Sequence, residues 1–238
     1  MTAQLGSAKP NAIDTSAAPN PTDVPVAVAW PADAVRRLPV PRDPAAAYQV
    51  VMVCTGNICR SAMAEVVLLD RLLAADVPTG GPGSVVVTSA GVSDEESGNP
   101  MDPRARRILT ESGYGVGADP AARATAAAIA EHAAHRIADA ELRRADLILA
   151  MTSAHRRVLR RRSERLGVDP ARIRMFREYD PTAAAGTPGA PEHAANLDVP
   201  DPWYGTMADF VDTLAVVERV SDALAPALAE LVGAAGAR

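Results

Sequence analysis

Residues 50–61 read VVMVCTGNICRS, and the fold follows from how this stretch has to lie. Four consecutive apolar residues, 50–53, suit a short strand covered on both faces. The run ends at Cys54 and a tight polar loop, and a periodic apolar segment begins after Ser61. Strand, loop and helix in that order make an anion cradle. Successive loop N–H groups converge on one point, and the helix turns its positive end to the same point. A cysteine held there is favoured as the thiolate by the N–H groups, the helix dipole and a neighbouring guanidinium. Arg60 follows Cys54 after five residues and supplies a planar fork able to hold two oxygens of a tetrahedral oxyanion. Gly56 and Asn57 are the residue types that best tolerate left-handed backbone in so tight a loop. Ser61 has a hydroxyl to offer the sulfur.

A cysteine at a strand end is commonly a small core residue, and a bare C-x5-R arises by chance. The surrounding residues lift this instance above that background. CTGNICRS at 54–61 resembles, nearly letter for letter, the phosphate loop of the low-molecular-weight protein tyrosine phosphatases, of the type found in bacteria. Ala62 stands where proline is common in that family, and either residue suits an early helical position. The resemblance implies that Cys54 is the nucleophile and Arg60 the phosphate clamp. It also implies that Thr55, Gly56, Asn57, Ile58, Cys59 and Ser61 line the bound phosphate.

The chain has 238 residues, enough for one well-buried domain with tails. A net charge of −5 gives no global field to recruit nucleic acid or an anionic membrane, so neither is expected as a partner. Cys54 and Cys59 are the only cysteines, so there is no disulfide framework and a reducing cytoplasm is the expected location. Their spacing is poor for metal ligation and no C-x2-C partner exists, so no metal site is expected. Residues 1–46 hold eight of the twenty prolines and no sustained apolar period. They read as a disordered Pro/Ala-rich extension before a domain spanning 47–238.

Beyond the loop, apolar periodicity predicts a helix over 61–75 and a second strand over 85–89. Asp102 as N-cap with Pro103 in the first turn opens another helix. Ser89–Ala90–Gly91 and Asp102–Pro103–Arg104–Ala105 are similar to segments of the same family. An alanine-rich stretch near 115–131 reads as an inserted helical excursion. A third strand is expected at 147–151, then an arginine-rich helix over 152–166 whose charges read as a solvated face laced to nearby acids. A short fourth strand at 173–176 precedes a long Pro/Gly/Ala loop at 179–200. Thr206 with Asp209 resembles a capping box for a last helix reaching about residue 232. Strands alternating with helices predict an α/β fold: a doubly wound four-stranded parallel sheet with helices on both faces. Ligands of such sheets sit at the carboxyl ends of the strands, where Cys54 falls.

Two further constellations carry chemistry. Asp201–Pro202–Trp203–Tyr204–Gly205 taken alone is a common turn. Downstream of the cysteine loop it resembles the family's general-acid loop, which makes Asp201 the acid for the leaving oxygen. Trp203 and Tyr204 are two of the chain's eight aromatic residues and would form a rim suited to a flat aromatic group. The second is His132, fourteen residues before Asp146 of Ala–Asp–Leu. The family resemblance implies that His132 and Ser89 hydrogen-bond Asn57 and support its left-handed conformation. His135 takes the place of a family arginine, and Thr152 stands where many members carry aspartate.

The implied activity is hydrolysis of protein phosphotyrosine through a phosphocysteine, without metal or organic cofactor. The partners implied are a phosphorylated protein as substrate and inorganic phosphate as product inhibitor. Three alternatives share parts of the pattern. Protein-arginine phosphatases resemble the chain at Thr55 and at Ala150–Met151–Thr152. Arsenate reductases use further cysteines downstream, and none follows Cys59. A silent phosphoprotein-binding module would have no need of Cys54, Arg60 and Asp201 together.

Overall fold

The computed structural model describes residues 38–183 and 197–236. Four strands, β1 (Tyr48–Cys54), β2 (Val85–Gly91), β3 (Leu147–Ala150) and β4 (Ile173–Met175), form one parallel sheet in the order β2-β1-β3-β4. The helices are α1 (Arg60–Ala74), α2 (Pro103–Glu111), α3 (Pro120–Ala130), α4 (Asp139–Arg144), α5 (Ser153–Leu166) and α6 (Met207–Gly236). This is the doubly wound sheet expected from the alternating pattern. The six residues of α4 have no counterpart in the sequence reading, because so short a helix leaves no periodic signal.

Strand β1 shows why both faces need cover. Its side chains alternate: Val50, Met52 and Cys54 enter one core cluster, while Val51 and Val53 enter the other. On the first face α1 contributes Met63, Val67 and Leu68, and α6 contributes Phe210, Leu214, Val217, Leu224 and Leu228. The α6 residues recur at helical spacing, which turns one apolar stripe to the sheet. Leu159 of α5 and Leu142 of α4 help to close the second face. Because β1 lies between β2 and β3, its two neighbouring connections leave on opposite sides. The crevice this opens at the carboxyl ends receives the residue after β1.

Gly91, the last residue of β2, pairs in register with Cys54. A Cβ at this position would lie 2.5 Å from the Thr55 carbonyl oxygen and 3.0 Å from that of Ser93. The cysteine loop therefore passes directly over Gly91, and only a residue without a side chain fits beneath it. The backbone of Gly91 is spent as well: its N–H donates to His135 O at 2.7 Å, and its carbonyl accepts from Ile137 N at 2.9 Å.

The sequence reading places residues 38–46 in the disordered extension; in the structure several of them contact the domain. Leu38 is buried. Tyr48 Oη donates to Pro39 O at 2.8 Å, and Arg42 N donates to Asp146 Oδ1 at 2.7 Å. Asp146 and Tyr48 are themselves buried and need partners, which this stretch supplies through its backbone. The remainder of the extension, 1–37, and the centre of the long loop, 184–196, lie outside the described residues. On α5, Arg156 pairs with Glu178 and Arg162 with Asp139, as a laced solvated face requires.

Gly91→Ala should destabilise the fold by about 1–3 kcal/mol, as overpacking against backbone does. Gly80→Ala, where an added Cβ meets nothing within 4 Å, should stay within ~1 kcal/mol of wild type. Urea denaturation of the two variants side by side checks the contrast.

Candidate active site

Between β1 and α1 the loop turns on Asn57, which is fully buried at φ 64°. Every polar atom of its side chain is used. Nδ2 donates to Ser89 Oγ at 2.8 Å and to Ser61 Oγ at 3.0 Å, and Oδ1 accepts from His135 N at 3.2 Å. Its carbonyl accepts from His132 Nε2 at 2.6 Å, so His132 carries its proton on Nε2. Burial pushes the His132 imidazole below its ordinary pKa, which keeps it neutral. Ser89 Oγ in turn donates to Glu65 Oε2 at 2.5 Å. Proton directions then follow along the chain. Ser61 Oγ already accepts from Asn57, and it lies 3.0 Å from Cys54 Sγ, leaving its own hydrogen for the sulfur. Glu65, on the first turns of α1, went unnoticed in the sequence as one charge on a polar face. Burial pushes its carboxyl up, and the Ser89 hydroxyl holds it down.

Cys54, Arg60 and Asp201 meet at one cavity of about 170 Å³, bounded also by Thr55, Trp203 and Tyr204. Arg60 is 4 % exposed and gives Nη2 to Asp201 Oδ2 at 2.5 Å and Nη1 to Val199 O at 3.3 Å. Its Nε is buried with no hydrogen-bond partner among the described residues, an unspent donor on a buried cation. Cys59 lies beneath the same loop, and burial pushes its thiol well above the ordinary range. It remains a neutral thiol there. Both cysteines are free.

The aromatic rim differs from a closed slot. Trp203 is 39 % exposed and Tyr204 95 %, so the tyrosine ring stands in solvent. Glu95 and Glu96 also line the cavity, and among the described residues no further aromatic joins Trp203 and Tyr204 there.

His155 is a second residue that sequence reasoning missed. Thr55 Oγ1 lies 2.9 Å from His155 Nε2, so its hydroxyl is tied to a side chain on the first turn of α5. The available signal was topological: β3 sits beside β1, which places the helix after β3 next to the residue after Cys54. His155 is buried, and its Nδ1 has no partner among the described residues. Burial, with Arg60 adding to it, lowers its pKa to about 4. Thr152 caps the same helix, its Oγ1 accepting from His155 N at 3.3 Å. A carboxylate still reaches this helix start, since Asp198 Oδ1 accepts from Ser153 N at 2.7 Å. His135, at the place of a family arginine, bonds Glu141 Oε1 at 2.9 Å.

A histidine whose folded pKa lies below its unfolded value costs stability as pH falls through the interval between them. With the folded value about 4 and the unfolded one ~6.5, the wild type should lose about 2 kcal/mol through His155 between pH 7 and pH 5. His155→Gln should lack that component, whatever its stability at pH 7. Urea denaturation of both proteins at the two pH values measures it.

Comparison with known proteins agrees with this geometry. The family model described as low molecular weight phosphotyrosine protein phosphatase matches residues 49–233. A low molecular weight protein-tyrosine-phosphatase of Streptomyces coelicolor is 38% identical over 188 residues, covering 78% of this chain and 96% of the relative. Low molecular weight protein-tyrosine phosphatase A of Mycobacterium tuberculosis is 40% identical over 170 residues, covering 71% and 84%. Among solved structures, the YwlE arginine phosphatase, a Bacillus subtilis protein, superposes with a TM-score of 0.54 at 25% identity, covering 75% of this chain and 93% of that one. With its cysteine loop, parallel sheet and matched length, the chain belongs to the low molecular weight phosphotyrosine protein phosphatase family.

Proposed function

We propose that the chain is a cysteine-dependent phosphoric monoester hydrolase acting on phosphotyrosine in proteins. The observation that carries this reading is the meeting of Cys54, Arg60 and Asp201 at one cavity. In the first step Cys54 sulfur attacks phosphorus, and the P–O bond to the phenol breaks. The loop amides and the unspent Nε of Arg60 hold the non-bridging oxygens, and Asp201 donates a proton to the departing phenolate. In the second step Asp201 takes a proton from water, which attacks the phosphocysteine and frees inorganic phosphate. Asp201 and a phosphoryl group are both anions suited to the Arg60 guanidinium, and in the structure Asp201 holds it. Substrate binding then amounts to an exchange: the phosphoryl dianion replaces the carboxylate on the guanidinium, and the freed Asp201 takes up a proton from water before giving it to the leaving oxygen. Inorganic phosphate would compete for the same clamp.

Thr55 and the likeness to YwlE favour phosphoarginine as a second reading. Magnitudes favour the phenol. A 10²-fold preference needs about 2.7 kcal/mol of differential transition-state binding. Stacking on Trp203 can supply ~0.5–1.5 kcal/mol of this, while Tyr204, 95 % exposed, stands too far into solvent to be counted. The Thr55 methyl could contribute ~0.8 kcal/mol, and its hydroxyl is already engaged with His155.

Two free cysteines fit a reducing cytoplasm, which we take as the location. The family match begins at residue 49, which supports treating residues 1–37 as an appendage to the catalytic unit.

Cys54→Ser should abolish turnover while binding of inorganic phosphate persists, since the amides and Arg60 remain. The wild type should release phosphate faster from a phosphotyrosine peptide than from matched phosphoarginine and phosphoserine peptides. A higher kcat/KM for phosphoarginine would replace this reading with the second one. Trp203→Ala should lower kcat/KM for phosphotyrosine about tenfold, equivalent to ~1.4 kcal/mol, and affect a small alkyl phosphate less.

A further inference from the structure

The Asp102–Pro103–Arg104–Ala105 segment opens α2, and no step above uses it. Asp102 is buried and caps the helix, its Oδ1 accepting from Arg104 N at 2.7 Å. Its own N–H donates 2.9 Å to Ile58 O, inside the cysteine loop. From this anchor the Arg104 guanidinium works in two directions. One edge forks onto the Asp102 carboxylate, Nε to Oδ1 at 3.1 Å and Nη2 to Oδ2 at 2.9 Å. The other reaches the loop that carries Asp201: Nη1 donates to Gly205 O at 3.1 Å, and Nη2 donates to Trp203 O at 3.1 Å. The guanidinium carbon also lies 4.6 Å from the Phe210 ring centre and 5.9 Å from that of Trp203.

A helix cap would need only the first edge. The second edge grips the loop between two points held by other means. Before Asp201, Val199 N donates to Met151 O at 2.8 Å. After Gly205, Thr206 N donates to Asp209 Oδ2 at 2.6 Å. The carboxylate between them is tied to the gripped segment, since Asp201 Oδ1 accepts from Trp203 N at 3.2 Å. Ile58 O, Asp102, Arg104, Trp203 and Asp201 thus form one continuous path from the nucleophile loop to the acid. Lysine could not reproduce it, because a single ammonium cannot fork onto a carboxylate, reach two carbonyls and lie against two rings.

We infer that Arg104 is a positioning residue for proton donation: it sets the distance between the Asp201 loop and the Cys54 loop, and orients the Trp203 rim with it. The inference rests on Asp201 being the acid. Its signature is a dependence on the leaving group. A displaced acid matters little when the departing phenolate is stable and much when it is basic.

The test measures kcat/KM over aryl phosphates from p-nitrophenyl phosphate to phenyl phosphate for four full-length proteins. These are Arg104→Lys, Arg104→Met, Asp201→Asn and the Arg104→Met/Asp201→Asn double variant, each against wild type. The inhibition constant of inorganic phosphate is measured alongside. Both Arg104 variants should lose at least tenfold on phenyl phosphate and less than threefold on p-nitrophenyl phosphate, with phosphate inhibition within twofold of wild type. The double variant should be no more than threefold worse than Asp201→Asn alone, because the two residues act on one proton. Should Arg104→Met fail to fold, the lysine variant decides. An equal fall across the series, no fall in either variant, or multiplicative losses in the double variant would each overturn the inference while Asp201 keeps its role. A flat series for Asp201→Asn would overturn the acid reading, and this inference with it.

Discussion

The left-handed backbone of Asn57 is the constraint on which the site depends. A non-glycine residue at φ 64° carries a conformational cost of order 1–3 kcal/mol. Four hydrogen bonds hold it there, two donated to Ser61 and Ser89 and two accepted from His132 and His135. Because the residue is fully buried, any other conformer would strand these groups without water to replace their partners. The result is a loop with one shape. That shape also settles proton direction, since each donor in the run Ser89, Asn57, Ser61 leaves its neighbour a single choice. The Cys54 sulfur stands at the end of the run.

The second determinant is a buried cation with an exposed partner. Arg60 is 4 % exposed and Asp201 45 %, so the two ends of one ion pair sit in different surroundings. A guanidinium so far from water needs a counter-charge at all times. In the structure that charge is the Asp201 carboxylate. In the mechanism proposed above, clamp and acid are thereby linked through a single guanidinium, and the loop carrying Asp201 has to be placed accurately for both uses.

What could be read from the sequence was whatever depends on local pattern. The apolar runs at β1, β2, β3 and β4, the Asp102 cap and the C-x5-R loop all announce themselves within a dozen residues. His132 and Ser89 could be named through the family resemblance, though both reach Asn57 from far along the chain. Contacts made only by the tertiary arrangement stayed hidden. His155 meets Thr55 because β3 adjoins β1, and nothing near His155 marks it. Glu65 looks like one solvated charge until Ser89 is placed against it. The contacts of residues 38–46 stayed hidden for a related reason. Residues 38–46 have no apolar period, and they meet the domain through backbone hydrogen bonds to Asp146 and Tyr48.

The parts of the site enter the chain at opposite ends of the domain: Arg60 and the Asp201 it binds are separated by 141 positions. The helix that carries the clamp, α1, packs its apolar stripe against α6, the last element of the chain. During synthesis the thiol loop leaves the ribosome long before either partner exists. At 5–20 residues per second the interval is on the order of ten seconds. Through it the loop has neither its acid nor the far wall of its core. A complete site therefore arrives with the closing helix, so that a nascent or prematurely ended chain carries Cys54 without the partners that surround it in the fold.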